Sequence, residues 1–318
     1  MTRPELSIVI PFLNEAEVLP LLRERLEKIT NRPPSWELIF VSDGSTDGST
    51  ALIENWAKSD PAVKLIVLTR NFGHQHAVSA GLSVASGEYI GVMDADLQDE
   101  PETLLEMYRL LRAERLEIVY AVRISRRESN AKQFFYQLFY RLFSFLADTP
   151  VDLNSGDFCV MSRRTVELLR ALPEKLRFVR GLRAWLGLRS KPFHISRPAR
   201  AAGEPQYSIS GLVKLATSGL TSFSTKPLRV GFIGGAILCF LSALGAVAYI
   251  AVALFTNIHI AAPGFTTLVV VLLFFDGLLF LYLGILGEYI GQMFLEIKAR
   301  PSFLIERTIN FEGSEMDQ

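Results

Sequence analysis

Two short acidic loops carry the chemistry that this sequence could do. The first is Ser42-Asp43-Gly44-Ser45-Thr46-Asp47-Gly48-Ser49, a run of carboxylates and hydroxyls broken by glycines. It reads either as a turn with a helix-capping residue or as a nucleotide-binding loop in which Asp43 accepts from a base or ribose. The second is Asp94-Ala95-Asp96-Leu97-Gln98-Asp99. In extended chain, positions 94, 96 and 98 project to one side, so two carboxylates and an amide oxygen converge. Hard divalent cations such as Mg2+ or Mn2+ want oxygen ligands and often bridge to substrate phosphates. The competing reading is capping at the start of a helix before Pro101, for which Asp99 and Glu100 are better placed.

Loops of this kind need a scaffold that presents them together. Apolar runs at Leu6–Phe12, Leu38–Ser42, Lys64–Thr69, Tyr89–Met93 and Ile118–Val122 read as strands. Glu15–Ile29, Ser49–Ala57, His76–Ala85 and Pro101–Ala113 between them read as helices, Pro101 fitting a first helical turn where its missing N–H costs nothing. Regular alternation implies an α/β domain with a mostly parallel sheet covered on both faces. Such sheets bind ligands at the carboxyl ends of their strands, where both acidic loops fall.

The 318 residues carry 33 Lys+Arg and 33 Asp+Glu, but the balance is uneven along the chain. Residues 1–120 hold 19 acids and 11 bases, whereas residues 121–229 hold 7 acids and 19 bases. The apolar fraction of 49% excludes a disordered chain. Two cysteines, Cys159 and Cys239, form no CxxC or Cys/His metal set, and no structural disulfide is expected. Glu5 and the Asn14–Glu15 pair interrupt the short apolar run near the N-terminus, so no signal peptide is expected.

Val230 to Phe255 is 26 residues without a charge, and Phe265 to Gly287 is 23 residues with only Asp276. Both exceed the length needed to cross a hydrocarbon core of about 30 Å. Lys214, Lys226 and Arg229 precede the first run and Lys298, Arg300 and Arg307 follow the second, while residues 256–264 hold neither Lys nor Arg. The positive-inside rule then predicts a two-helix hairpin over residues 230–290, with the preceding α/β domain and both termini in the cytoplasm, as expected of an inner (cell) membrane protein. Residues 132–147, with seven aromatics, and residues 208–229 fit amphipathic helices at the bilayer surface, or ordinary packing against the catalytic domain. The basic segment suits anionic lipid; no nucleic-acid module accompanies it, so no nucleic-acid partner is expected. Glycine-rich spans with the isolated Asp276 make a homo-oligomer a candidate assembly.

Several stretches in order resemble family 2 glycosyltransferases of the GT-A fold, within them the polyprenyl-phosphate group of bactoprenol glucosyltransferases and dolichyl-phosphate mannose synthases. They are Ile8-Val9-Ile10-Pro11-Phe12-Leu13-Asn14-Glu15, Val41-Ser42-Asp43-Gly44-Ser45-Thr46-Asp47, Arg70-Asn71-Phe72-Gly73, Met93-Asp94-Ala95-Asp96-Leu97-Gln98 and Ser155-Gly156-Asp157-Phe158. Arg200 with Gly203-Glu204 and Tyr207 looks like the acceptor-side signature, and Gly287-Glu288-Tyr289 before Arg300-Pro301 like the membrane-anchored bacterial branch. The resemblance implies a Rossmann-like nucleotide-sugar domain over residues 1–207, two transmembrane helices and a cytoplasmic tail over 291–318.

It further implies donor contacts from Pro11, Asn14, Glu15, Asp43, Arg70 and Asp94, with Asp94, Asp96 and Gln98 holding a divalent cation and the diphosphate. Arg123, Arg200 and Tyr207 would face the phosphate of the lipid acceptor. Asp157, Asp96 and Arg200 are the expected catalytic set, with Asp157 open between base, sugar contact and neighbour of the metal. The implied activity is inverting transfer of one sugar, glucose from UDP-glucose foremost, to a polyprenyl phosphate. GDP-mannose and other nucleotide sugars are rivals within the class; a non-catalytic lipid-linked-sugar translocase or scaffold is the rival outside it. Arg180-Gly181-Leu182-Arg183-Ala184-Trp185 does not reproduce the Q/RxxRW of processive synthases, which favours a single transfer.

Overall fold

The computed structural model describes residues 3–30, 32–123, 155–175, 177–195, 226, 228, 231–238, 240–241, 244 and 265–311. The chain forms two compact units. The first comprises Met1–Gln137, Thr149–Ser208 and Ala299–Gln318.

In the first unit one eight-stranded sheet is built from β1 (Leu6–Phe12), β2 (Trp36–Ser42), β3 (Val63–Leu68), β4 (Tyr89–Val92), β5 (Ile118–Arg123), β6 (Ser155–Ser162), β7 (Ser190–Ile195) and β8 (Ile305–Ile309). Its order is β7-β5-β6-β4-β1-β2-β3-β8. The four central strands β4, β1, β2 and β3 are parallel, and β7 runs parallel to β5. Only β6, between β4 and β5, and β8, at the β3 edge, pair in the antiparallel sense. The mostly parallel α/β sheet is as expected.

Helices α1 (Leu19–Glu27), α2 (Ser49–Ser59), α3 (His74–Val84) and α4 (Pro101–Glu114) alternate with the first five strands, and α5 (Arg163–Ala171) and α6 (Val179–Trp185) follow β6. Every residue of β1 is buried, as are six of the seven in β2, which is the pattern of strands covered on both faces. Ile8, Ile10, Leu38 and Phe40 join Leu22, Ile53 and Trp56 in one apolar cluster. At the amino ends of the strands, opposite the acidic loops, Glu37 is buried and pairs with Lys64 at 2.7 Å. Its other oxygen accepts from the Ser7 hydroxyl and from the backbone N–H and hydroxyl of Ser86.

Three differences from the sequence reading have local causes. Helix α1 begins at Leu19 rather than Glu15: Pro20 has no N–H to give to Ala16 O, so the regular ladder starts with this proline in its first turn, while the N–H groups of Glu15 and Ala16 donate to Ser49 and Asp47. Helix α3 begins two residues early, at His74, which brings His74 and Gln75 into its first turn. The third concerns the stretch read as a tail after the spans. Its residues Ile305–Ile309 form β8 along the edge of β3, and the Asn310 amide donates to Ala57 O and Val63 O at 2.6 and 2.8 Å. The edge of β3 is thereby covered, and the short β8 becomes the outer strand.

The second unit comprises Leu138–Asp148 and Ile209–Lys298. Its long helix α7 (Phe265–Ile297) contains, over Phe274–Ile297, the one stretch among the described residues long and apolar enough to cross a membrane. The expected first span falls largely outside the described residues; residues 231–238 within it are helical. There Gly231 packs directly on the Tyr282 ring of α7, where an added Cβ would collide with the ring edge. The surface segment expected at 132–147 lies outside the described residues, as does most of 208–229.

Candidate active site

The site lies where the strand order reverses. From β1 the chain steps outward to β2 and β3, then returns to place β4 on the other side of β1. The β1–β4 register ends at Val9 with Val92, whereas β1 continues beside β2 to Phe12. Val9 O accepts from Met93 N, so Pro11, two residues on, faces the same side beyond the last pair. A proline is tolerated in this central strand because its missing N–H faces a gap. The crevice at such a switch point is where open α/β sheets bind ligands.

The loops after β1, β2 and β3 are stitched together on one flank of this crevice. Asn14, at φ 56°, accepts from Thr46 N at 2.8 Å, and its own N–H donates to Ser45 Oγ. Asp43 is 3% exposed, and its two oxygens accept from Phe72 N and Gly73 N at 2.7 and 2.9 Å. Gly44 has φ +73°, and a Cβ there would sit 2.6 Å from Arg70 C and Asn71 N. Only glycine permits this crossing of the two loops. Arg70 lies over the Phe72 ring, 4.0 Å from its centroid. Thus Pro11, Asn14, Glu15, Asp43 and Arg70 fall on adjoining strand ends, and Asp43 and Asn14 spend hydrogen bonds on fixing the loops themselves.

On the other flank stand Asp94 and Asp157. Because β6 is antiparallel, the pairing of Val92 with Cys159 leaves Asp94 and Asp157 each two residues beyond the last registered pair. The Asp157 Oδ2 atom accepts from Gln75 Nε2 at 2.8 Å and from an Arg180 terminal nitrogen at 3.2 Å. His74 Nε2 is 3.5 Å from both Asp94 Oδ1 and Asp157 Oδ2. Beneath them Arg183, 5% exposed, donates to Gly156 O and stacks over the Tyr120 ring. After Asp94, Asp96 Oδ1 accepts from Gln98 N at 3.0 Å, and Leu97 between them takes φ 58°. A left-handed leucine costs about 1 kcal/mol, and such strain gathers at working loops.

The charges act on one another. Burial, together with the carboxylates of Asp99, Asp157 and Asp96, pushes Asp94 up to about 6 against the pull of His74. For Asp157, burial works upward too, but the hydrogen bond from His74 and the Arg180 charge outweigh it and hold the carboxyl well below its usual range. Burial lowers His74, yet its two carboxylate neighbours leave it raised overall. Asp94 is thus a carboxylate whose ionised form burial and neighbouring acids disfavour despite His74, while Asp157 is held ionised by its partners and is a weak proton acceptor.

No group of three or more His, Cys, Asp or Glu is gathered as a metal cluster among the described residues. The donor set nonetheless fits a hard divalent cation: Asp94 and Asp96 are on one loop, and the charge deficit at Asp94 is the kind a cation relieves. Mg2+ in particular is held by one or two carboxylates with substrate phosphates completing the shell.

Of the residues expected on the acceptor side, Arg123 ends β5 in register with Ile195, and Arg200 and Tyr207 lie outside the described residues. The residues that sequence reasoning did not assign are His74, Gln75, Arg180 and Arg183. The signal was the run Gly73-His74-Gln75 opening a helix directly after the Arg70-Asn71-Phe72-Gly73 motif.

The Glycosyl transferase family 2 profile matches residues 7–169. The chain is 38% identical over 312 residues to the uncharacterized glycosyltransferase YkcC of Bacillus subtilis, covering 98% of this chain and 96% of that one. It is 34% identical over 307 residues to the SfII prophage-derived bactoprenol glucosyl transferase of Shigella flexneri, covering 96% and 98% respectively. Among solved structures, glucosyl-3-phosphoglycerate synthase from Mycobacterium tuberculosis, in complex with Mn2+, UDP and glucosyl-3-phosphoglycerate, aligns with TM-score 0.49 at 17% identity over 69% of this chain and 79% of that chain. With its profile spanning the strands and loops of the crevice and relatives matching over nearly full length, the chain belongs to glycosyl transferase family 2 and is a glycosyltransferase.

Proposed function

We propose that the protein transfers one glucose from UDP-glucose, with inversion, to the phosphate of a polyprenyl phosphate at the cytoplasmic face of the cell membrane. The observation that carries this reading is the meeting of Asp94, His74, Asp157 and Arg180 at the open end of the β1–β4 crevice. The acceptor and the sugar are taken from the bactoprenol glucosyl transferases of Shigella flexneri and its phages, which match this chain over nearly its whole length.

In the reaction, an oxygen of the acceptor phosphate bonds to the anomeric carbon, whose bond to the β-phosphate oxygen breaks as UDP departs. A phosphate monoester, with a second pKa near 6, is mostly a dianion at neutral pH and needs no base. Asp157, ionised and paired, fits a holding role rather than proton removal. Pro11, Asn14, Glu15, Asp43 and Arg70 line the donor side, and Arg123, Arg200 and Tyr207 bind the lipid phosphate, arginine being suited to it by its bidentate fork. A divalent cation, Mg2+ or Mn2+, when held by Asp94, Asp96 and Gln98, supplies charge for the departing diphosphate. Helix α7 and the apolar run over residues 230–255 anchor the catalytic domain beside its lipid. The test is turnover by the purified full chain: one UDP is expected per glucosyl lipid with no longer glycan, whereas release of free glucose without lipid product would overturn the reading.

A further inference from the structure

Gln75 occupies an unusual position among the residues that touch Asp157. Its side-chain amide uses both ends at once: Nε2 donates to Asp157 Oδ2 at 2.8 Å, and Oε1 accepts from Val179 N at 2.9 Å. Val179 is the first residue of α6, and the next, Arg180, reaches back to the same Asp157 oxygen. One amide therefore closes a ring that runs from α3 through Asp157 and Arg180 to α6. The Asp157 side chain is 10% exposed, and its Oδ1 has no hydrogen-bond partner among the described residues. Oδ1 is itself buried, so the carboxylate is held through Oδ2 by Gln75, His74 and Arg180.

We infer that Gln75 is a positioning residue for transfer, fixing the rotamer of Asp157 and the placement of Arg180 through its two-ended hydrogen bond. The inference rests on the reading of this crevice as the transferase centre. Glutamine is suited to the task because it donates at one end and accepts at the other without adding charge. Glutamate keeps the acceptor for Val179 N but loses the donor to Asp157 and faces it with a second negative charge. Alanine loses both bonds. The pair of substitutions separates anchoring of α6 from orientation of Asp157.

The experiment compares full-length wild type, Gln75→Glu and Gln75→Ala in membranes, with UDP-glucose and a polyprenyl phosphate, alongside their thermal unfolding in detergent. Gln75→Glu is expected to lower kcat about ten- to a hundred-fold, the range of one hydrogen bond to a charged group, with KM for UDP-glucose within about two-fold of wild type. Gln75→Ala is expected to lower kcat similarly and to melt several degrees below wild type. A merely structural glutamine would give the reverse order, with Gln75→Glu close to wild type in kcat. That result overturns the inference. If wild type transfers no sugar, the transferase reading fails separately; Gln75→Glu and Gln75→Ala both melting with wild type would then overturn the contact itself.

Discussion

Asp94 and Asp157 come from strands that run in opposite directions, yet one imidazole nitrogen, His74 Nε2, lies 3.5 Å from each of them. The two carboxylates divide the work: Asp157 is compensated by Arg180 and Gln75 as well, whereas Asp94 is crowded by other acids. Replacing Asp157 by Asn should therefore reduce transfer more than it reduces UDP binding. The loss of charged hydrogen bonds from Arg180 and His74 points to about a ten- to hundred-fold fall in kcat. Steady-state kinetics with UDP-glucose varied checks this, and an unchanged kcat would exclude a role in the reaction.

Asp96→Ala should abolish transfer while leaving the protein folded and in the membrane. Asp96 is half-buried on the loop after β4, and its Oδ1 accepts a local hydrogen bond from Gln98 N. Its loss removes an oxygen donor and frees the turn that holds Leu97 left-handed. Wild type in excess chelator should behave like the variant. Full turnover under either condition contradicts the assignment of a cation to this loop.

The buried pair at the far end of the sheet predicts a pH dependence of stability. Burial would raise Glu37, but Lys64, Ser7 and Ser86 outweigh it and leave its carboxyl below the ordinary value of 4.5. A lowered folded value means the contribution is complete above the unfolded value and is lost as pH falls through the folded one. Glu37→Gln should cost about 3 kcal/mol at neutral pH, as expected when one member of a buried pair is removed. The gap in melting temperature between wild type and variant should shrink below about pH 4. A gap that is constant with pH would show that the charge of Glu37 contributes nothing.

The returning strand β8 changes what truncation should do. Thr69 N donates to Leu304 O at 3.0 Å, one residue before Arg70, so this strand steadies the loop on which Arg70 stands. Cutting the chain after Lys298 should lower the melting temperature and weaken UDP binding. Replacing residues 230–298 by a flexible soluble linker, with 299–318 retained, should preserve UDP binding while impairing use of long-chain lipid. Equal UDP affinity in the two shortened chains would show that β8 has no part in the donor side.

The sheet was legible where strands are apolar and regular. Leu6–Phe12 agrees to the residue, and the strands starting near Leu38, Lys64, Tyr89 and Ile118 shift by no more than two positions. β6 escaped because Gly156 and Asp157 open it, and β8 because Ile305-Glu306-Arg307-Thr308-Ile309 looks like a charged tail until β3 pairs with it. Asp94, Asp96 and Asp157 were singled out as site candidates from motifs. His74, Gln75 and Arg180 were not, since Gln75 and Asp157 are 82 positions apart and only the β4–β6 pairing joins them. Helical polar residues in a first turn read as capping until a tertiary partner is known.

The central claim is that this crevice loads a lipid phosphate with a single sugar. Membranes containing the chain, incubated with a panel of radiolabelled nucleotide sugars and polyprenyl phosphate and then extracted with organic solvent, test it most directly. The expected result is label in the lipid phase from UDP-glucose, dependent on added polyprenyl phosphate and absent with Asp96→Ala. Label confined to the aqueous phase for every sugar in the panel would contradict it.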